Sequence, residues 1–328
     1  MPQAQLPYNS YTQHLMQRFG QRVYKITLDA GFNCPNRDGS KGLGGCTFCD
    51  ETGSSSRAQD KRASLRDQLL GNIQKQQKRY GAQKFIAYFQ SYTNTYAPVE
   101  RLRALYDEAL AAHPDIVGLA VSTRPDCVDA EKLALLADYQ ARGLYVQLEY
   151  GMQTIHDRTL TAINRCETHA DFLTAIELTE QAGLAYCVHV ILGLPGETHA
   201  EMMQTAEKLA LLRVPGVKMH LLVAMRHTPI AKAYAAGLWQ PMARDEYIGT
   251  TVDFIERLHP QCVIHRVGGN GHPKHVVAPT WLQTEKNQVL GDIVAEFARR
   301  GSCQGSQFKP APEPDPGDCL NAAHLLPV

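Results

Sequence analysis

From Val23 to Leu222 the chain alternates short β-branched or aromatic runs with segments of helical period, which leaves few architectures open. Six runs read as strands, at 23–28, 85–89, 116–121, 144–149, 186–192 and 217–222. Each is largely apolar, as a strand covered on both faces must be. The intervening segments carry helix signals. Leu65, Leu69 and Ile73 recur every four residues, and the stretch from Asp129 to Gly143 opens on an N-cap residue and closes on a glycine. Thr168-His-Ala-Asp171 and Thr198-His-Ala-Glu201 have the form of capping boxes. Repeated strand–helix units build a parallel sheet. Six of them predict an α/β fold, a partial (β/α)6 TIM-type barrel with a wide lateral mouth rather than the closed eight-fold form.

A helix near 244–258, a short strand near 263–266 and a helix near 284–300 follow, a C-terminal α/β extension packed on the core. The expected organisation is therefore a lead-in at 1–20, a barrel core at 21–225, the extension at 226–308 and a Pro-rich tail at 309–328. Prolines alternate from Pro310 to Pro316, which forbids a regular helix there.

The chemistry concentrates in Cys34-Pro-Asn-Arg-Asp-Gly-Ser-Lys-Gly-Leu-Gly-Gly-Cys46-Thr-Phe-Cys49, directly after the first strand. The loop falls at the C-terminal end of that strand, the face on which barrel active sites lie. Thiolate is the preferred ligand of iron–sulfur iron, and a cubane held by three cysteines leaves one iron for an exogenous chelate. The set fits a [4Fe-4S] cluster on Cys34, Cys46 and Cys49. A structural zinc site, with Cys127 or His189 as fourth ligand, is the competing assignment, since Cys46-x-x-Cys49 is a good half of one. The remaining cysteines are scattered singly, the usage of a reducing compartment, where free thiols sit buried.

Lys+Arg and Asp+Glu both total 33, so no global basic footprint marks a nucleic-acid binder and any such contact must be local. Residues 1–20 contain no long apolar stretch and no segment approaches about 20 uninterrupted apolar residues. A cytoplasmic location without membrane contact is expected.

The cysteine loop and the later motifs resemble the radical S-adenosylmethionine superfamily, specifically the YhcC/YtqA-like family, whose loop reads Cys-Pro-Asn-Arg-Asp-Gly and then Gly-Gly-Cys-Thr-Phe-Cys. The resemblance runs from about residue 7 to 280. Its long first spacing is similar to that of the elongator catalytic subunit, a tRNA-modifying relative. The resemblance implies two cofactors, the [4Fe-4S] cluster and S-adenosylmethionine, with cleavage of the latter to a 5′-deoxyadenosyl radical.

It also implies positions for S-adenosylmethionine. The end of the second strand, Gln90-Ser91-Tyr92-Thr93-Asn94-Thr95, stands where relatives present a glycine-rich turn to the methionine amino group, and Ser91 is the candidate there. Glu149-Tyr-Gly151-Met-Gln153 with Asn164-Arg165 matches the Gly-x-Gln and Asn-Arg elements of relatives, which places Gln153 and Arg165 on the methionine carboxylate. Glu149 either faces the barrel mouth or forms an internal ion pair. His189 occupies a position where some relatives carry aspartate, although a lone histidine on an apolar strand is more often a core group. Ser122-Thr-Arg124-Pro-Asp126 resembles a turn of the elongator-like relatives, in which Arg124 and Asp126 fix the backbone.

For substrate, the family resemblance points to wobble uridines of tRNA, at aminomethyl-type side chains. Lys75, Lys78, Arg79 and Lys84 form one local basic group, and Arg266, His272, Lys274 and His275 a second, with Tyr80 and Trp281 for stacking. An electron donor such as flavodoxin or ferredoxin is the implied protein partner. A radical reaction on a small metabolite, and a zinc-stapled binding module without catalysis, are the alternative readings.

Overall fold

A computed structural model describes residues 6–53, 63–268 and 273–310. His272 and the tail beyond residue 310 lie outside the described residues. Strands β1 (Val23–Leu28), β2 (Lys84–Phe89), β3 (Ile116–Thr123), β4 (Tyr145–Gln153), β5 (Ala185–Leu192) and β6 (Gly216–Leu221) fall where the apolar runs predict them. They pair in parallel and in sequence order. Helices α2 (Leu65–Tyr80), α3 (Val99–Ala111), α4 (Ala130–Ala141), α6 (His169–Gln181) and α7 (His199–Leu211) make the crossovers, with a short α5 (Asp157–Ala162) after β4. Both expected capping boxes form: the Thr168 and Thr198 side chains accept from the amides of Asp171 and Glu201, whose carboxylates return to the cap amides.

The partial barrel thus stands, with one addition. β7 (Ala224–Met225) and β9 (Val276–Ala278) form a small antiparallel ribbon beyond the end of β6, whereas β8 (Val263–Arg266) pairs in parallel with β6 as a seventh barrel strand. The strand expected in the extension therefore belongs to the barrel sheet. Its partner in the extension, α9 (Arg244–Arg257), packs on α7 and on α10 (Val289–Arg300). α8 (Pro229–Ala235) lies against the β7–β9 ribbon.

The lead-in closes one end of the barrel. α1 (Tyr11–Phe19) is capped by Ser10, whose backbone also bridges in parallel to Ile264 on the free edge of β8. Tyr11, Leu15 and Phe19 pack against Val23, Ile86, Tyr145 and Val263, residues at or near the N-terminal ends of their strands. The gap between β1 and β8 is therefore plugged below, and the barrel opens at the C-terminal ends of its strands. Outward-facing Ile26, Phe85, Ala87, Leu119, Val146, Leu148, Val188, Val217 and Met219 form the main core with the helices. Inward-facing positions are different: Lys25, Tyr88, Gln147, Glu149, His189, Lys218 and His265 fill the barrel middle with polar groups, where branched apolar layers are the usual filling.

Candidate active site

The loops at the C-terminal ends of the strands surround a cavity of about 550 Å³. Cys34, Cys46 and Cys49 all line it, together with Phe48, Gln90, Thr93, Ser122, Gly151, Gln153, Arg165 and His189. The cysteine loop is tied down by two asparagines. Asn36, fully buried, donates from Nδ2 to the Asn164 carbonyl (2.5 Å) and to Cys46 Sγ (3.6 Å), and Asn164 donates to the carbonyls of Leu43 (3.1 Å) and Gly45 (2.8 Å). Arg37 donates to the carbonyls of Cys49 (2.8 Å) and Asp50 (2.7 Å). The loop is held by the segment after α5, far away in sequence.

Arg165 is buried and multiply held. Its Nε donates to Glu167 Oε1 (2.5 Å), its Nη2 to the Gly151 carbonyl (2.6 Å) and its Nη1 to Cys46 Sγ (3.6 Å). Arg124 forms a bidentate pair with Asp126 (2.8 and 2.7 Å) and donates to the carbonyl of Arg165 (2.9 Å). It also stands 3.1 Å from Glu167, so two guanidiniums share that carboxylate. The turn role expected of Arg124 and Asp126 is met, and Arg124 additionally carries the Arg165 segment.

Gln153 ends β4 in the left-handed region, φ 71°, just past a shift in the β4–β5 register. A non-glycine residue held there is strained, and strain of this kind clusters at functional sites. Gly151 makes the geometry possible: a Cβ there would stand 2.7 Å from Gln153 Nε2 and 2.9 Å from Arg165 Nη2. An amide and a guanidinium thus converge over one glycine beside Cys46, a donor set suited to a carboxylate.

Other expected contacts are distributed differently. Ser91 is fully buried and does not line the cavity; Gln90, Tyr92 and Thr93 of its loop do. Tyr92 takes the turn at φ 62° that a glycine would otherwise supply. Glu149 is fully buried and does not reach the mouth. The ion-pair alternative is the one realised. Lys25 Nζ pairs with Oε1, while Oε2 accepts from Lys218 Nζ (2.8 Å), the Tyr88 hydroxyl (2.6 Å) and His189 Nε2 (2.8 Å). Burial pushes the Glu149 carboxyl up, but Lys218, Lys25 and His189 hold it well below the usual range. Burial and Lys218 push His189 down to about 4. His189 is therefore neutral near pH 7 and donates from Nε2 to the ionised Glu149.

The fourth zinc ligands considered above are committed elsewhere. Cys127 is buried, donates to Asp126 Oδ1 (3.5 Å), and is pushed up to about 12 by burial and that carboxylate. His189 is engaged by Glu149. Among the described residues no three His, Cys, Asp or Glu side chains converge to hold one metal ion, and the eight described cysteines are all free.

The radical SAM superfamily model matches residues 34–209, and the Radical_SAM C-terminal domain model residues 214–299. The chain belongs to the radical SAM superfamily. Protein YhcC of Escherichia coli (strain K12) is 39% identical over 95% of this chain and 100% of its own length. The tRNA uridine(34) acetyltransferase of Methanocaldococcus jannaschii is 23% identical over 56% of this chain and 33% of its own. Among solved structures, the archaeal Methanocaldococcus infernus Elp3 with an N-terminal deletion superposes with a TM-score of 0.63 at 15% identity, over 86% of this chain and 64% of that one, a likeness of fold. Radical SAM proteins bind a [4Fe-4S] cluster and S-adenosylmethionine, and these are the cofactors here. The three thiols on one cavity wall and the Gln153–Arg165 pair beside them fit both groups. No helix among the described residues is long and apolar enough to cross a membrane.

The basic groups separate in space. Lys75, Lys78 and Arg79 lie on the last turns of α2, at the end of the barrel away from the cavity, and Lys84 is paired with Asp115 (2.9 Å). Tyr80 stacks on Tyr24 there. Arg266 is no surface residue, because β8 carries it into the cavity wall. The Trp281 indole is half-buried and donates to the Met242 carbonyl (3.2 Å). Exposed Lys274 lies just before β9, at the cavity end. Sequence reasoning missed Lys25, Tyr88 and His265 as inward-facing groups. Their only local signal is a polar residue at alternate positions of a strand.

Proposed function

We propose that this protein uses reductive cleavage of S-adenosylmethionine to modify a wobble uridine of tRNA. One observation carries the radical chemistry: Cys34, Cys46 and Cys49 share a single cavity with Gln153 and Arg165. In this reading the three thiolates hold the cluster, and Gln153 Nε2 and the Arg165 guanidinium hold the methionine carboxylate. When bound, the two cofactors supply a 5′-deoxyadenosyl radical that takes a hydrogen atom from the substrate. Phe48 and the buried walls of the cavity keep water from the cluster. Asn36 and Arg165, donating to Cys46 Sγ, stabilise the more negative, reduced state. An electron donor of the flavodoxin or ferredoxin kind would reach the loop from its exposed side, where Leu43 is 76% exposed.

The tRNA part rests on the likeness to the uridine(34) acetyltransferase and on basic groups at the cavity end. Arg226 and Lys274 are both exposed there, and the Arg226 amide donates to the His275 carbonyl (2.9 Å). Phosphate contacts from such groups make binding salt-dependent. The test has two arms. Anaerobic reconstitution of the protein is expected to give a [4Fe-4S] signal and 5′-deoxyadenosine on reduction. Mass analysis of tRNA nucleosides from a deletion strain is expected to show a changed wobble uridine. Unchanged nucleosides, with tRNA binding indifferent to salt and to Arg226→Gln plus Lys274→Gln, would remove tRNA and leave the radical chemistry standing.

A further inference from the structure

Beneath the cavity lies a second chamber of about 200 Å³, lined by Tyr11, Lys25, Thr27, Tyr88, Gln90, Lys218, His265 and Arg266. Thr27, Tyr88, Gln90, Lys218 and Arg266 line both spaces, so the chamber continues the cavity downward along β1, β2, β6 and β8. Among the described residues no carboxylate lines it. Lys25, Lys218 and Arg266 face a single acid, Glu149, which stands behind the two lysines and is shared between them. Arg266 has no ion pair or hydrogen bond with any described residue. Its burial is deep enough to push the guanidinium below its ordinary range. A further cation, Lys286, lines the cavity and is pushed down by burial and by Arg266. Among the described residues the one carboxylate that lines the larger cavity, Asp50, is on the cysteine side and accepts from the Thr52 amide (2.9 Å) and hydroxyl (2.6 Å).

The donors are set as well as the charges. Lys25 Nζ donates to Gln147 Oε1 (3.3 Å), which turns the Gln147 nitrogen toward His265 Nε2 at 3.4 Å. Nε2 is then the acceptor and Nδ1 carries the proton. That Nδ1 is buried without a hydrogen-bond partner. Tyr11 stacks on the His265 ring (3.9 Å between centroids), and Gly216 on β6 leaves it room, since a Cβ there would stand 2.7 Å from Nε2. Buried cations in excess are costly unless something anionic joins them. A buried N–H without a partner points the same way.

We infer that this chamber is a binding subsite for a small anionic group, a carboxylate or phosphate, held by Arg266 and Lys218 with Lys25 behind, distinct from the groups proposed for the S-adenosylmethionine carboxylate. The anion sits at the end of a substrate that reaches past the radical site to the barrel floor. Gln153 and Arg165 are on the β4 side; Arg266 is on β8, with β5 and β6 between them. The chamber is too small for a nucleic-acid backbone with its sugars. The anion therefore belongs either to a free small molecule or to a side chain carried on a modified base.

The test is calorimetric titration of the reconstituted protein with inorganic phosphate and, separately, with acetate, at fixed ionic strength in chloride. Wild-type protein is expected to bind at least one of them saturably, and Arg266→Gln and Lys218→Met each to weaken it tenfold or more. Cluster content and S-adenosylmethionine affinity, measured on the same samples, are expected to stay as in wild type for Arg266→Gln. That control separates failure of the subsite from failure of the radical SAM reading. Displacement of the probe by bulk tRNA assigns the anion to a group carried on RNA, and its retention to a free molecule; both uphold the subsite. No saturable binding of either probe, or equal affinity in wild type and both variants, overturns it.

Discussion

The upper and lower halves of the cavity are built on opposite plans. Above, at the cysteine loop, every guanidinium is answered: Arg124 by Asp126, Arg165 by Glu167 and the Gly151 carbonyl, Arg37 by two carbonyls. Below, Lys25 and Lys218 share Glu149, and Arg266 has no paired acid among the described residues. Paired charge fixes groups in place before anything binds, so the upper half is a preorganised frame. Charge left in excess raises the energy of the empty state and is relieved by a ligand of opposite sign. The lower half is thus tuned for capture rather than for rigidity.

The largest break in this comparison is expected from the upper half. Replacing Cys34, Cys46 or Cys49 by alanine should abolish the cluster, read as iron and sulfide falling to background in anaerobically purified protein. The fold should persist, because the loop is held through Asn36, Arg37 and Asn164. A full cluster surviving all three replacements would return the site to an unassigned thiol group.

Next comes the lower half. Glu149→Ala leaves the two lysines buried without their counter-charge, which costs about 3–5 kcal/mol of unfolding free energy in urea. A loss under about 1 kcal/mol would mean that solvent already compensates Lys25 and Lys218. The same network predicts a pH dependence. His189 titrates near 6.5 when unfolded but at about 4 when folded. The unfolded state therefore binds the extra proton between those values, and stability present above pH 6.5 is lost as pH falls toward 4. The loss is of order 3 kcal/mol for that group, and His189→Asn should flatten the slope in this window.

The smallest effect is on the cofactor contact. Arg165→Ala is expected to keep the cluster and to weaken S-adenosylmethionine by about 1.5–3 kcal/mol, the worth of a hydrogen bond to a charged group. Gly151→Ala should weaken it as well without altering charge, because its Cβ collides with both Gln153 and Arg165. Calorimetric titration decides it: a lowered melting temperature with unchanged cofactor affinity in both variants would make Arg165 a structural residue of the Glu167 pair alone.

The fold was legible because its signals are local. Six strand positions follow from apolar runs, and the capping boxes at Thr168 and Thr198 from four residues each. The membership of the seventh strand in the barrel sheet is less legible, since only four residues mark it and its partner, β6, is distant in the chain. The burial of Ser91 away from the cavity and the place of the α2 lysines at its far end are illegible in the sequence for a related reason. A polar residue in a loop or a lysine on a helix declares its type but not the side of the barrel it faces.

By itself the sequence determined the three thiols at the end of the first strand, the repeated strand–helix units and the pairing of a glycine with Gln153. These are fixed by spacing along the chain and by backbone preference. The tertiary structure decided what the barrel encloses. Lys25, Tyr88, Glu149, Lys218, His265 and Arg266 come from five strands and meet only because the sheet curls. Charge balance in a buried chamber is a sum over elements far apart in sequence, and no local pattern carries it.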